Sequence, residues 1–171
     1  LSTAIELKDK YPAHSVLVLE RGLLPTGASS RNAGFACMGS LTEILDDSQY
    51  ADEAEIVKLY DWRKRGLELL RNRLGEAAIG YKSNGSFELI GDNELPALDK
   101  IDYINNLLQS VTKLPAFKLV NDKIDVFGFG KQAVKALVEN TCEGELHSGM
   151  MMRALTNYAL SKGIEIKTGA E

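Results

Sequence analysis

The chain has 171 residues, 44% of them hydrophobic, and 20 Lys/Arg against 24 Asp/Glu leave a net charge of −4. That size buries one core, or one domain plus part of a second; the mild acidity, with no basic run and no aromatic-basic interleaving, excludes an electrostatic surface for nucleic acid or an anionic membrane. No apolar run approaches the roughly 20 residues of a spanning helix, and Cys37 and Cys142 have neither metal-ligand spacing nor the density of a disulfide scaffold, so a cytoplasmic protein without a metal is expected.

Taken in chain order, Leu1, Ala4, Ile5 and Tyr11 share one side of a helical wheel that Glu6, Lys8, Asp9 and Lys10 avoid, which predicts an amphipathic helix ending at Pro12. Residues 15–20 form a short apolar run, Ser-Val-Leu-Val-Leu-Glu, the pattern of a parallel strand covered on both faces. Residues 23–40 are rich in Gly, Ser and Ala without periodicity, predicting a loop with a short helix opening at Ser29 or Ser30. Ile56, Leu59, Tyr60, Arg63, Leu67, Leu70 and Leu74 repeat at a helical period, so a long helix is expected over 51–74, closed by Gly75. Asn84-Gly85 between 81–83 and 86–90 predicts a hairpin with a type I′ turn. A second amphipathic helix is expected over 94–114, strand pieces around 117–120 and 133–138, a helix over 150–160 capped by Gly163, and a strand over 164–167.

Helix and strand thus open the chain, an antiparallel segment interrupts it, and helix and strand close it. That order predicts an α/β fold, with a Rossmann-like, doubly wound domain built from 1–78 and 141–171 and an inserted α+β antiparallel-sheet domain at 79–140.

In a dinucleotide-binding unit an acidic residue closes the second strand about 20 residues after the glycine motif, where it accepts hydrogen bonds from ribose hydroxyls. Glu20 holds that place, so the last glycine of G-x-G-x-x-G is expected immediately before Leu1; the motif itself is absent. Alone, a strand-ending Glu is more often a solvated loop start. In the stretch 24–35, Leu-Pro-Thr-Gly-Ala-Ser-Ser-Arg-Asn-Ala-Gly-Phe, Gly and Ala allow close backbone approach, and N–H groups at a helix start hold a pyrophosphate.

The residues 20–35, E-R-G-x-x-P-x-G-A-S-S-R-N-A-G-F, resemble the segment after the second strand in the D-amino-acid-oxidase-like (glycine/sarcosine oxidase) flavoenzymes. Residues 143–171 are similar to that family's return into its FAD domain. The resemblance implies a partial FAD-binding domain with FAD as cofactor, and 79–140 as part of a substrate domain. Glu20 would bind the adenosine ribose and Arg21 would lie on the adenine side. Gly27, Ala28, Ser29, Ser30 and Arg31 would pass the pyrophosphate and ribityl chain, while Asn32, Ala33, Gly34 and Phe35 would border the isoalloxazine ring. Some relatives carry a flavin-linked histidine near Asn32; neither His14 nor His147 sits there, so non-covalent FAD is implied. The implied reaction is oxidation of the C–N bond of an amino acid or amine by hydride transfer to FAD, giving an imine that water hydrolyses. The residue gripping a substrate carboxylate is expected beyond Glu171, so no catalytic residue is assigned. The chain is expected to be an internal piece that needs the remainder of its polypeptide to hold FAD.

Other readings stand beside these. Arg31 fits a structural ion pair as well as a cofactor contact. Met150, Met151 and Met152 are expected to fill a core, Tyr60 and Trp62 to pack a helix, and Asp46, Asp47, Asp52, Glu53 and Glu55 to form a solvated acidic face. Cys37 follows the loop and is expected to be a small buried hydrophobe. A non-catalytic remnant or interaction domain and an NAD-type dehydrogenase unit are the rival functions; the G-A-S-S-R-N stretch argues for FAD over NAD.

Overall fold

A computed structural model describes residues 1–24, 26–130 and 132–170; Pro25 and Glu171, which belong to the two resembling stretches, lie outside the described residues. The elements are α1 (Ser2–Lys10), β1 (Leu17–Glu20), a 3₁₀ turn (Ala28–Ser30), β2 (Phe35–Ala36), α2 (Leu41–Asp47), α3 (Glu53–Leu74), α4 (Glu76–Ile79), β3 (Ser86–Ile90), a 3₁₀ helix (Asp92–Lys100), α5 (Ile101–Thr112), β4 (Phe117–Leu119), α6 (Lys123–Val126), β5 (Ala136–Asn140), β6 (Gly144–Glu145), α7 (Ser148–Ser161) and β7 (Glu165–Thr168). None of the helices among the described residues is long and apolar enough to cross a membrane. The chain folds as two compact units, Leu1–Phe35 with Leu70–Tyr81 and Leu146–Glu171, and Ala36–Leu69 with Lys82–Glu145. Both mix helices with small sheets, the α/β class the element order predicts.

In the first unit β1 runs parallel to β7, with Leu17 opposite Glu165 and Glu20 opposite Thr168. Ala4 and Ile5 of α1 and Leu155 and Ala159 of α7 bury their apolar stripes together with Ile164, and Val16, Val18 and Ile166 pack against them. These helices cover one face of the strand. Leu17 and Leu19 point the other way and are 50% and 63% exposed, so the cover expected on that side is not supplied by the described residues. The apolar run is real, but α1 and α7 occupy the side of the even-numbered residues.

In the second unit β5 is the centre of an antiparallel sheet of order β3-β5-β4. Ala136, Leu137, Val138 and Asn140 of β5 are buried; Ala136 and Val138 share a core with Ile56 and Tyr60 of α3 and Ile104 and Leu108 of α5, and Leu137 packs with Ile124 and Val134. The hairpin expected at Asn84-Gly85 does not form. Ser86–Ile90 pairs instead with 136–140, the Gly85 N–H donates to the Glu143 carbonyl (3.1 Å), and Lys82 bridges Glu145. Gly85 keeps its positive φ of 72°, so Asn-Gly marks a kink in one arm, because a buried central strand offers 86–90 far more apolar contact than a local turn does.

Two helices differ from expectation. Residues 92–100 wind as 3₁₀ and α5 begins at Ile101; Pro96, which lacks an N–H, stands inside the stretch whose periodicity predicts one α-helix. The helix expected at Ser29 or Ser30 is only the three-residue 3₁₀ turn, whereas α2 starts after Ser40, whose hydroxyl accepts the Glu43 N–H (3.2 Å). Glu88 of β3 holds the same helix start, accepting the N–H groups of Leu41 (2.8 Å) and Thr42 (3.2 Å). At the start of α3, Asp52 and Glu55 cap reciprocally: Asp52 Oδ1 accepts the Glu55 N–H (2.8 Å) and Glu55 Oε2 the Asp52 N–H (3.3 Å). Asp52→Ala is expected to cost about 1 kcal/mol, the usual contribution of an N-cap, read as a shift in the urea midpoint; an unchanged midpoint would show that the cap contributes nothing.

Candidate functional site

Glu20 is the last residue of β1, at the carboxyl edge of a parallel strand pair, and its side chain is exposed. Its Oε1 accepts the Gly22 N–H (2.8 Å), which fixes the carboxylate over the first turn out of the strand. The turn after β7 comes alongside: the Ala170 N–H donates to the Glu20 carbonyl (3.1 Å) and the Gly169 N–H to that of Gly22 (3.2 Å). Arg21 is exposed.

The small residues that follow stay on the surface. Gly27, Ala28, Ser29, Arg31, Asn32 and Ala33 are exposed and Ser30 is half-buried. A Cβ added at Gly27 would meet nothing within 4 Å, so the segment faces open space there. No ion pair to Arg31 occurs among the described residues. Ser30 Oγ donates to the Gly27 carbonyl (3.1 Å) and closes the turn.

Asn32 is the organiser of this loop. Its amide Nδ2 donates to the carbonyls of Ser29 (3.0 Å) and Ala28 (3.3 Å), while its Oδ1 accepts the Gly34 N–H (2.9 Å) and the Ser148 hydroxyl (2.7 Å). Gly34 is buried at φ 81°, and its carbonyl accepts the Leu146 N–H (2.8 Å). A Cβ there would stand 2.2 Å from the Leu146 carbonyl oxygen, so glycine is demanded by packing as well as by φ. Phe35 is 70% exposed. Among the residues named from sequence, Glu20 thus ends β1 with an exposed carboxylate, and 27–33 lie at the surface apart from the half-buried Ser30, their backbone held by Asn32 and Gly34.

His147 and the methionines have structural places. His147 precedes α7 and its Nδ1 accepts the Met150 N–H (3.2 Å); Met150, Met151 and Met152 are half-buried in the first turns of α7.

A second polar constellation, which no sequence pattern marks, lies within the second unit. Every backbone polar group of Met38 and Gly39 is taken by a side chain. Glu143 Oε1 accepts the N–H groups of Met38 (2.5 Å) and Gly39 (3.0 Å), Arg63 donates to the Met38 carbonyl (2.7 Å), and Asn140 donates to that of Gly39 (3.3 Å). The other oxygen of Glu143 accepts the Ser86 hydroxyl (2.5 Å). Glu143 is 3% exposed, a buried carboxylate made tolerable by three donors. The Tyr60 hydroxyl is buried beside Asn140 and Cys142, and burial, with the Cys142 side chain next to it, pushes its pKa well above the ordinary tyrosine value. The acceptor and donor pairs of this cluster stand 25 to 105 positions apart, so no local pattern announces them.

Cys37 departs from expectation: it is exposed, and its neighbours Ala36 and Met38 take the buried positions of an extended segment. Partial desolvation, reinforced by the carboxylates of Glu143 and Glu43, pushes its thiol up. Among the described residues no group of three or more His, Cys, Asp or Glu could hold a metal ion.

The family model for FAD dependent oxidoreductases matches residues 1–171. No curated protein matches the chain. Solved structures share its fold: the L-amino acid deaminase of Proteus myxofaciens in complex with anthranilate (18% identity, TM-score 0.69, 98% of this chain and 35% of that one), the glycine oxidase of Geobacillus kaustophilus (19%, 0.65, 97% and 42%) and the L-proline dehydrogenase of P. horikoshii (21%, 0.66, 97% and 40%). The chain therefore spans well under half the length of these proteins.

Proposed function

This chain belongs to the FAD dependent oxidoreductase family, and from that premise we propose that the protein carrying it oxidises the C–N bond of an amino acid or amine with non-covalent FAD. The observation that carries the reading is the position of Glu20, a carboxylate at the carboxyl end of a parallel strand, followed by the exposed strip 27–33. Open α/β sheets bind ligands at that edge, and a strand-ending acid there accepts ribose hydroxyls.

The residues present fit an extended dinucleotide. Glu20 would hold the adenosine ribose with Arg21 on the adenine side; Gly27, Ala28, Ser29, Ser30 and Arg31 would lie along the pyrophosphate and ribityl chain. Ala33, Gly34 and Phe35 would border the ring, while Asn32, its side chain committed to the loop, would shape that border through the backbone. When bound, FAD supplies the electron acceptor for oxidation of the substrate C–N bond to an imine that water hydrolyses. The chain's own part is to keep the strip open, orient the cofactor and exclude solvent on the covered side. The glycine oxidase, the deaminase and the proline dehydrogenase are named for amino-acid substrates, which supports an amino acid or secondary amine here. Residues 1–78 and 141–171 would belong to the FAD domain and residues 79–140 to the substrate domain. The free thiols of Cys37 and Cys142 suit a reducing compartment such as the cytoplasm.

The 171-residue chain alone is expected to hold FAD poorly, because it contains no G-x-G-x-x-G cradle for the pyrophosphate. In the intact protein, Glu20→Ala is expected to weaken FAD binding about 10- to 100-fold, the effect of losing a hydrogen bond to a charged group. Gel filtration followed by a visible spectrum, and anaerobic bleaching with amino acids and secondary amines, test the proposal. An intact protein that carries a nicotinamide dinucleotide, or a flavin that no amine bleaches, would overturn it.

A further inference from the structure

We propose that Ser148 is a positioning residue for the cofactor: its hydroxyl fastens the 28–34 loop, through Asn32, to the first turn of α7. The inference rests on the cofactor reading of that loop and adds to it a residue 116 positions away, to which the sequence reading gave no role.

The geometry has three parts. Ser148 Oγ donates to Asn32 Oδ1 at 2.7 Å and lies 3.3 Å from the Asn32 carbonyl oxygen. Asn32 in turn holds the carbonyls of Ala28 and Ser29 and the N–H of Gly34, so one side chain sets the backbone from 28 to 34. Two residues before Ser148, the Leu146 N–H bonds the Gly34 carbonyl, giving the loop a second tie to the same segment. α7 is itself anchored by Leu155 and Ala159 in the core shared with Ala4, Ile5 and Ile164. The loop would otherwise be an exposed run of Gly, Ala and Ser with almost no apolar anchor, free to sample many shapes. Through Ser148 its rest position is inherited from a helix anchored in that core. A ligand that needs one shape of this loop then binds a surface already in that shape, and the entropy of ordering is lost on folding rather than on binding.

The test uses the intact flavoprotein stripped of FAD and titrated with FAD, read by quenching of flavin fluorescence, with the melting temperature of the apoprotein measured alongside. Ser148→Ala is expected to raise the FAD dissociation constant about five- to tenfold, the effect of one lost hydrogen bond. Ser148→Thr, which keeps the hydroxyl, should return it to within about twofold of the original. An unchanged dissociation constant in Ser148→Ala overturns the inference. So does a threonine variant that binds as weakly as the alanine one with both apoproteins melting lower, since that marks a purely structural serine. If the unaltered apoprotein takes up no FAD, the cofactor reading itself fails, a result distinct from either of these.

Discussion

Replacing Glu143 with alanine is expected to lower the stability of the second unit by about 3–5 kcal/mol, since each buried polar group left unpaired costs about 1–3 kcal/mol. The carboxylate is 3% exposed and serves three donors, so its removal strands the N–H groups of Met38 and Gly39 and the hydroxyl of Ser86. Water cannot easily replace it, because Met38 is itself 1% exposed. Glutamine separates charge from geometry. Both backbone donors converge on Oε1, which a glutamine side chain would retain as its carbonyl oxygen, and the new amide could donate to Ser86 Oγ. Glu143→Gln should therefore cost about 1–2 kcal/mol, the loss of charge assistance alone. Trp62, the single tryptophan, lies in the same unit and reports its unfolding in urea. An alanine variant within about 1 kcal/mol of the original would mean that these hydrogen bonds carry no net stability.

Gly34→Ala should be nearly as damaging to the first unit, by about 3–4 kcal/mol, because a non-glycine residue held in a sparsely populated backbone region costs about 1–3 kcal/mol and a steric clash adds to it. The φ there is 81°, and the added Cβ would lie 2.2 Å from the Leu146 carbonyl oxygen. That contact is with backbone, so it is relieved only by moving 146–148 or 32–34. Either movement breaks the Leu146 N–H bond to the Gly34 carbonyl and pulls Asn32 from Ser148. Hydrogen exchange at the Leu146 amide should accelerate and the intact protein should lose bound flavin. Protection at Leu146 equal to that of the original protein would show that the chain absorbs the methyl elsewhere.

How much of this was legible in the sequence follows from the range of each interaction. The helices α1, α3 and α7 are periodic over nine or more residues, and β7 alternates, so they stand where the pattern puts them. The strand end at Glu20 and the irregular loop behind it stand where the local signals put them, because an apolar run and a run of tiny residues are local patterns. The Asn84-Gly85 turn misled because a two-residue signal says nothing of a partner strand some 50 positions further on: residues 86–90 pair with 136–140. α2 was missed although Ser40 and Glu43 stand three apart, a spacing that marks a helix start. The side-chain contacts of Glu143, Arg63, Asn140 and Ser148 gave no signal. Each of these residues acts by meeting a group that only the folded chain brings near.

The pairing of 17–20 with 165–168 sets the order in which the molecule can assemble. The three-stranded sheet needs only 86–140, whereas the β1–β7 pair closes a loop that contains that whole sheet. On a ribosome the second unit has all its strands before α7 and β7 have been synthesised, so the β1–β7 pair forms only after them. A chain that stalls in between presents β1 without β7 to its neighbours.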